Sequence, residues 1–233
     1  MAVWILPLAA AVVALIFAAM LLRRADDRRR PYRILWAAAM IMYAVASAAV
    51  ALGAAGGWSR GEFLVYWALG AVLNVPFLAA GEVVLVFRRS AALSISVLVL
   101  LVLSIATVAV VAAAAVEVAA LARELPSGKL VFGDGSLAFR LPQLISIPSY
   151  LVLVVGALWS AWSMRGRPDL RDRFVGTLLV VLGATVTAVA GSAFAATGNL
   201  LEFSAALLTG IVVMFWGFVR ASRTRAPAPR SQG

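Results

Sequence analysis

The chain has 233 residues, of which 64% are hydrophobic and 13% charged, and its mean hydropathy is +1.02. A soluble domain is about 45–50% apolar, so composition excludes a water-soluble fold and points to an integral membrane protein. The formal charge is +10, with 20 basic and 10 acidic residues and neither Cys nor His; disulfides, thiol nucleophiles, thiolate or imidazole metal sites and a histidine proton switch are all excluded.

Runs of roughly 20 apolar residues, enough to cross a hydrocarbon core about 30 Å thick, occur seven times, at about 3–22, 34–53, 63–87, 92–121, 142–163, 174–196 and 200–219. The reading is all-α and transmembrane: one seven-helix domain over 1–219, followed by a basic, disordered tail over 220–233. Met1-Ala2-Val3-Trp4 lacks a positive leader and a dense Arg cluster follows the first span, the pattern of an uncleaved span inserted N-terminus first.

The third span opens at Glu62 and carries Asn74-Val75-Pro76 at its middle and Glu82 five residues before its end. Pro76 lacks an N–H and frees the carbonyl of Val72. An ionisable side chain inside a span is costly and a functional candidate by default; Glu82 reads either as a proton- or cation-coupling carboxylate or as the partner of an Arg near the membrane face. Glu62 and Glu202 open helices, where the macrodipole favours an anion. The fourth span is 30 residues long, about 45 Å of helix at 1.5 Å per residue, so it must tilt or protrude beside Glu117.

Between the fourth and fifth spans, alternating apolar residues flank Gly133-Asp134-Gly135, which predicts a short extracellular β-hairpin over 129–140. The fifth span is broken at Ser146-Ile147-Pro148-Ser149-Tyr150. The sixth carries Gly183, Thr187, Gly191 and Ala195 at four-residue spacing, a stripe for close helix contact within the bundle or between two copies. All seven Trp fall near expected interfaces, the usual aromatic belt.

Charge gives the chain a direction. The first, third and fifth connections and the tail hold 16 of the 20 basic residues against four acids, whereas the rest of the chain holds four against six. Lys and Arg concentrate on the cytoplasmic side, so the N-terminus is expected outside and the C-terminus inside. The charge therefore speaks for anionic lipid at the cytoplasmic face and against nucleic acid. A single Lys, Lys129, beside 19 Arg, with abundant Ala, Val and Gly, reads as high-GC coding and hence as a bacterial inner membrane.

Landmarks recur at offsets of 135 to 142 residues: Leu6-Pro7 and Leu141-Pro142 open the first and fifth spans, and Glu62-Phe63 and Glu202-Phe203 the third and seventh, with Gly70 and Gly210 each eight residues after the Glu. This suggests a parallel three-plus-one-plus-three repeat, a type found in carriers. The topology resembles that of the SWEET and PQ-loop carriers, and Pro142-Gln143 reproduces their Pro-Gln pair; the first span has Pro7-Leu8 instead, and the next Arg after Gln143 comes only at Arg165. A closer likeness is to seven-helix membrane proteins of actinobacteria and related high-GC bacteria, carried by Phe63–Gly81, by Ile147-Pro148 through Ser160-Ala161-Trp162, and by Met214-Phe215-Trp216-Gly217-Phe218. That likeness implies the fold and no activity.

Enzyme chemistry needs a positioned acid, base, nucleophile or metal, and no such set stands in the sequence. The only Lys lies in a loop, which excludes a retinal Schiff base. No catalytic residue, cofactor or metal is expected. Broken helices with polar residues point to binding sites in transporters, so Asn74, Pro76, Glu82, Ser146, Pro148, Ser149 and Tyr150 are the candidate ligand-binding set. The expected function is non-enzymatic: a receptor-like or accessory protein binding a ligand, a membrane protein partner or a second copy within the membrane. The alternative is a carrier of a small or amphipathic molecule.

Overall fold

A computed structural model describes residues 3–23, 30–87 and 89–222. Seven helices are long and apolar enough to cross a membrane: Ile5–Arg23, Tyr32–Gly56, Arg60–Phe87, Ser90–Ala113, Leu137–Ser163, Pro168–Thr197 and Leu200–Ala221. No strand forms among the described residues. In hydrocarbon every backbone N–H and C=O must be bonded within the protein, and a helix does this without a neighbour. The expected tail begins at Arg220, which still belongs to the last helix; residues 223–233 lie outside the described residues.

Polar residues set the helix starts. Ser59 Oγ accepts from Glu62 N at 3.2 Å while the Glu62 carboxylate accepts from Ser59 N at 2.8 Å, a reciprocal capping box. Asn199 Oδ1 likewise accepts from Glu202 N at 3.1 Å. Both caps follow a glycine at positive φ, Gly57 (87°) and Gly198 (73°), conformations that a β-carbon disfavours. Glu62 is thus part of a helix cap through its carboxylate, whereas at Glu202 the cap is the Asn199 side chain.

Six spans form a closed ring. The first packs on the second, the second on the third, the third on the fifth, the fifth on the sixth, the sixth on the seventh and the seventh on the first. The fourth stands outside, against the third and the tip of the fifth. It buries Ser96, Leu100, Thr107 and Val111, a stripe at helical spacing that matches contact on one side only. The first span turns Ala10, Ala14, Phe17 and Leu21 inward and the seventh turns Leu207, Ile211, Met214 and Phe218. Phe17 meets Phe215 and Phe218 with centroids 5.5 and 5.0 Å apart.

The sixth and seventh spans touch through their backbones. A methyl group on Gly183 would lie 2.5 Å from the carbonyl oxygen of Gly210, and one on Gly176 2.5 Å from that of Gly217. Thr187 fills the space beside Gly210. The small-residue stripe of the sixth span therefore serves the bundle, with its glycines seven residues apart on each helix. Close approach of this kind is how membrane helices gain dispersion contacts that lipid cannot supply.

Two sequence expectations fail on the side where Val3 lies, here called the N-side. The fourth span stops at Ala113 rather than Leu121, and the backbone turns extended at Ala114 (ψ 139°). Twenty-four residues already suffice for a crossing. The following apolar residues pack on protein instead: Ala120, Leu121 and Leu125 are buried in the core. The hairpin over 129–140 is replaced by two short helices, Gly128–Phe132 and Leu137–Leu141. An isolated hairpin is marginal and leaves two edges unpaired. The helices bond internally, Ser136 caps the second at Phe139 N (3.2 Å), and Phe132 and Phe139 dock onto Trp67 (centroids 5.6 and 6.5 Å). The result is a folded cap on the N-side.

The tryptophans also divide. Trp4, Trp159, Trp162 and Trp216 are exposed, as an aromatic belt requires. Trp36, Trp58 and Trp67 turn inward, and each indole donates to a distant carbonyl: Leu78 (3.1 Å), Glu124 (2.9 Å) and Ala138 (2.9 Å).

Candidate functional site in the bundle interior

Proline leaves the carbonyl four residues before it without its helical partner. Pro76 does so to Val72 and Pro142 to Ala138. In the third span the helix also widens into a π segment over Tyr66–Leu73, and a second π segment, Pro142–Ser146, faces it from the fifth. Ser146 Oγ lies 2.7 Å from Ala71 O and 2.9 Å from Val72 O. Trp67 Nε1 donates to Ala138 O. The two prolines and their two donors thus form a reciprocal clasp: each span supplies the donor for a carbonyl freed in the other.

The same use of side chains recurs deeper in the ring. Asn74 Nδ2 donates to Ala39 O at 2.6 Å, tying the third span to the second. Tyr43 of the second donates its hydroxyl to Leu207 O of the seventh at 2.7 Å, beside Thr187 of the sixth. Tyr150 and Thr185 pair at 2.8 Å between the fifth and sixth spans. Interhelical bonds of this kind contribute on the order of 1 kcal/mol each. Replacing Ser146 by Ala leaves the proline-freed carbonyl bare, and about 1 kcal/mol of stability should be lost. Unfolding of purified protein in mixed micelles measures this, with no change expected at Ser149→Ala, whose hydroxyl makes no bond to the described residues.

Of the seven candidate residues, Ser146 lies at the junction of the third and fifth spans, against the Val72 carbonyl that Pro76 frees, whereas Asn74 faces the second span. Tyr150, one helical turn beyond Ser146, pairs instead with Thr185 of the sixth span, and Pro148 is exposed. Glu82 is separate again. It is 4% exposed, its Oε1 has no hydrogen-bond partner among the described residues, and it makes no ion pair there. Its side chain fills a notch at Gly156 of the fifth span, where a methyl group would lie 2.8 Å from Glu82 Cγ. Trp36 packs on the adjacent Gly81.

Tyr43, Trp36, Trp67 and Gly156 were not foreseen from sequence. Tyr43 had a readable signal, since a tyrosine at mid-span is far from either interface. Gly156 had none, because a single glycine in a membrane helix is common.

Two hollows accompany these contacts. An apolar cavity of about 20 Å³ lies on the ring axis, bordered by Phe17, Met40, Leu78, Leu153, Val180 and Phe218, among others. It has room for about one water and offers no polar partner to hold it. A larger, open hollow of about 450 Å³ lies at the N-side between Val3, Trp4, Gly57, Arg123, Glu124 and Leu200. No group of three or more metal-ligating side chains occurs among the described residues.

These features define a multi-pass membrane protein in which the polar groups at the helix breaks bond to neighbouring spans, while Glu82 Oε1, Thr107 Oγ1 and Ser204 Oγ are buried without a partner among the described residues. Comparison with known proteins gave no match to a family model, to a curated protein or to a solved structure.

Proposed function

We propose that the chain is a non-enzymatic, receptor-like or accessory protein that binds a ligand or partner within the membrane. One observation carries this reading. The polar groups at the helix breaks, which would line a solute path, are engaged by carbonyls of neighbouring spans, and the cavity on the ring axis is small and apolar. Lipid-facing surface is correspondingly large: the fifth span buries 17% of its most apolar stretch against 61% for the second. Binding through such faces within the membrane is the action that this arrangement favours.

In this reading the N-side faces outward and the opposite side, rich in Arg, faces the cytoplasm and anionic lipid of a bacterial inner membrane. The absence of Cys makes the orientation directly testable. A single cysteine at Ser127, in the cap, should react with a membrane-impermeant maleimide on intact cells. One at Ser222 should react only after the cells are opened, and the reverse pattern would invert the topology.

Carrier function is the second reading, favoured by the ring order. Exchanging spans one, two and three for five, six and seven maps every ring contact onto another ring contact. The turns and caps before Glu62 and Glu202 correspond as well. That is the arrangement expected of a three-plus-one-plus-three repeat. Extraction into polymer discs with native lipid separates the two readings. A second membrane protein or second copy at fixed stoichiometry supports the receptor-like role, whereas a lone protomer whose vesicles pass solute supports the carrier.

A further inference from the structure

Glu82 places a carboxyl inside the bundle, 4% exposed. Its Oε1 is buried without a hydrogen-bond partner among the described residues. The elements packed around it bring few charges. From the second span come Tyr32 and Arg33 at its start, and from the fourth Arg89 at its cap. The fifth offers Tyr150, already paired with Thr185, and Arg165 beyond its end, stacked 5.0 Å over Trp162. Glu82 makes no ion pair with any of them. Arg88 lies outside the described residues.

Glu82 is 4% exposed and its Cγ fills the notch at Gly156, so nothing larger than a proton reaches the carboxyl without displacing packed side chains. A ligand for this carboxyl must therefore add almost no volume, and a proton is the one that fits. We propose that Glu82 is a site for an exchangeable proton, built into the contact between the third and fifth spans, and that release of the proton opens that contact. On release the proton passes to water at the Arg-rich side, five residues away along the helix, and the carboxyl keeps the bonding pair as a carboxylate. An anion held against Gly156 without a partner is costly to bury. The side chain then relieves that cost by moving toward the Arg-rich end of the bundle, and the Gly156 notch empties. The fourth span packs on the third beside Glu82, where Leu100 clusters with Ala80 and Val84, so it moves with the third when that helix and the fifth part at their Arg-rich ends. This inference stands whether the protein is receptor-like or a carrier.

Infrared spectroscopy of the full chain in lipid vesicles tests the first half. A protonated-carboxyl band that is present at acid pH, absent in Glu82→Gln, and reversibly lost as pH rises is the expected result. No Glu82-dependent band at any pH would overturn the proposal, because the group would be a permanent anion. A band that survives to the highest pH the protein tolerates would overturn it equally, because the proton would not exchange. Should Glu82→Gln fold poorly, modification of residue 82 in the wild-type chain by a hydrophobic carbodiimide, read by mass spectrometry, replaces it; modification should fall as pH rises, and a pH-independent result would overturn the proposal. Spin labels at Phe87 and Ser163, on the Arg-rich ends of the two spans, test the second half. Their separation should grow over the pH range in which the band disappears, and a constant separation would overturn the coupling.

Discussion

Gly183→Leu should leave no folded bundle. The methyl of alanine alone would stand 2.5 Å from Gly210 O and 2.7 Å from Met214 N, atoms of a helix backbone that cannot rotate aside. Overpacking of a well-filled core costs about 1–3 kcal/mol when side chains yield; here backbone must yield, so Gly183→Ala should fall at or above the top of that range. Leucine would push the sixth and seventh spans apart along their whole contact, Gly176 against Gly217 included. Thermal unfolding followed by size-exclusion chromatography reads both variants. Gly61→Ala is the control: nothing lies within 4 Å of its added methyl, and it should be neutral or raise stability by about 0.5–1 kcal/mol through helix propensity. Equal stability of Gly183→Ala and the wild type would show that the two helices are not held at backbone contact.

Trp67→Ala should cost about 3–5 kcal/mol, the range for emptying a buried aromatic site. Trp67 stacks on Phe63, meets Phe132 and Phe139, and covers Gly128. It is thus the point at which the N-side cap is fastened to the ring. Its loss should also free the cap, so that protease cleaves between Ala114 and Ser136 while the spans remain intact. Trp67→Phe divides the effect. Most of the packing survives, but Ala138 O loses its donor, and Pro142 has no N–H to replace it; about 1–3 kcal/mol should go. Unfolding in mixed micelles gives the energies and timed proteolysis the cap. A cap as resistant in Trp67→Ala as in the wild type would mean that it is held elsewhere.

What could be read beforehand follows from the physics of each feature. The seven spans were legible because hydrocarbon admits no other backbone solution for a run of 20 apolar residues. The cap was misread because residues 129–140 alternate like a strand, and five-residue helices are too short to show a 3.6-residue period. Phe132 and Phe139 answer to Trp67, more than 60 residues earlier in the sequence, and only the fold brings them together. The breaks at Pro76 and Pro148 were visible as breaks. That Ser146, 70 residues after Pro76, supplies the missing donor was not, since a serine near a proline reads equally well as a pore-lining hydroxyl. Gly183 was found by its spacing, but the partner it approaches was left open between the same chain and a second copy.

The closed ring sets a timetable for biogenesis. The first and seventh spans are neighbours, with Phe17 against Phe215 and Phe218. Until the seventh span leaves the insertion machinery, the inward stripe of the first and the glycine face of the sixth both look onto lipid. Until then the six earlier spans form an open horseshoe, and the seventh closes the ring. A chain interrupted before Leu200 keeps a gap between its first and sixth spans.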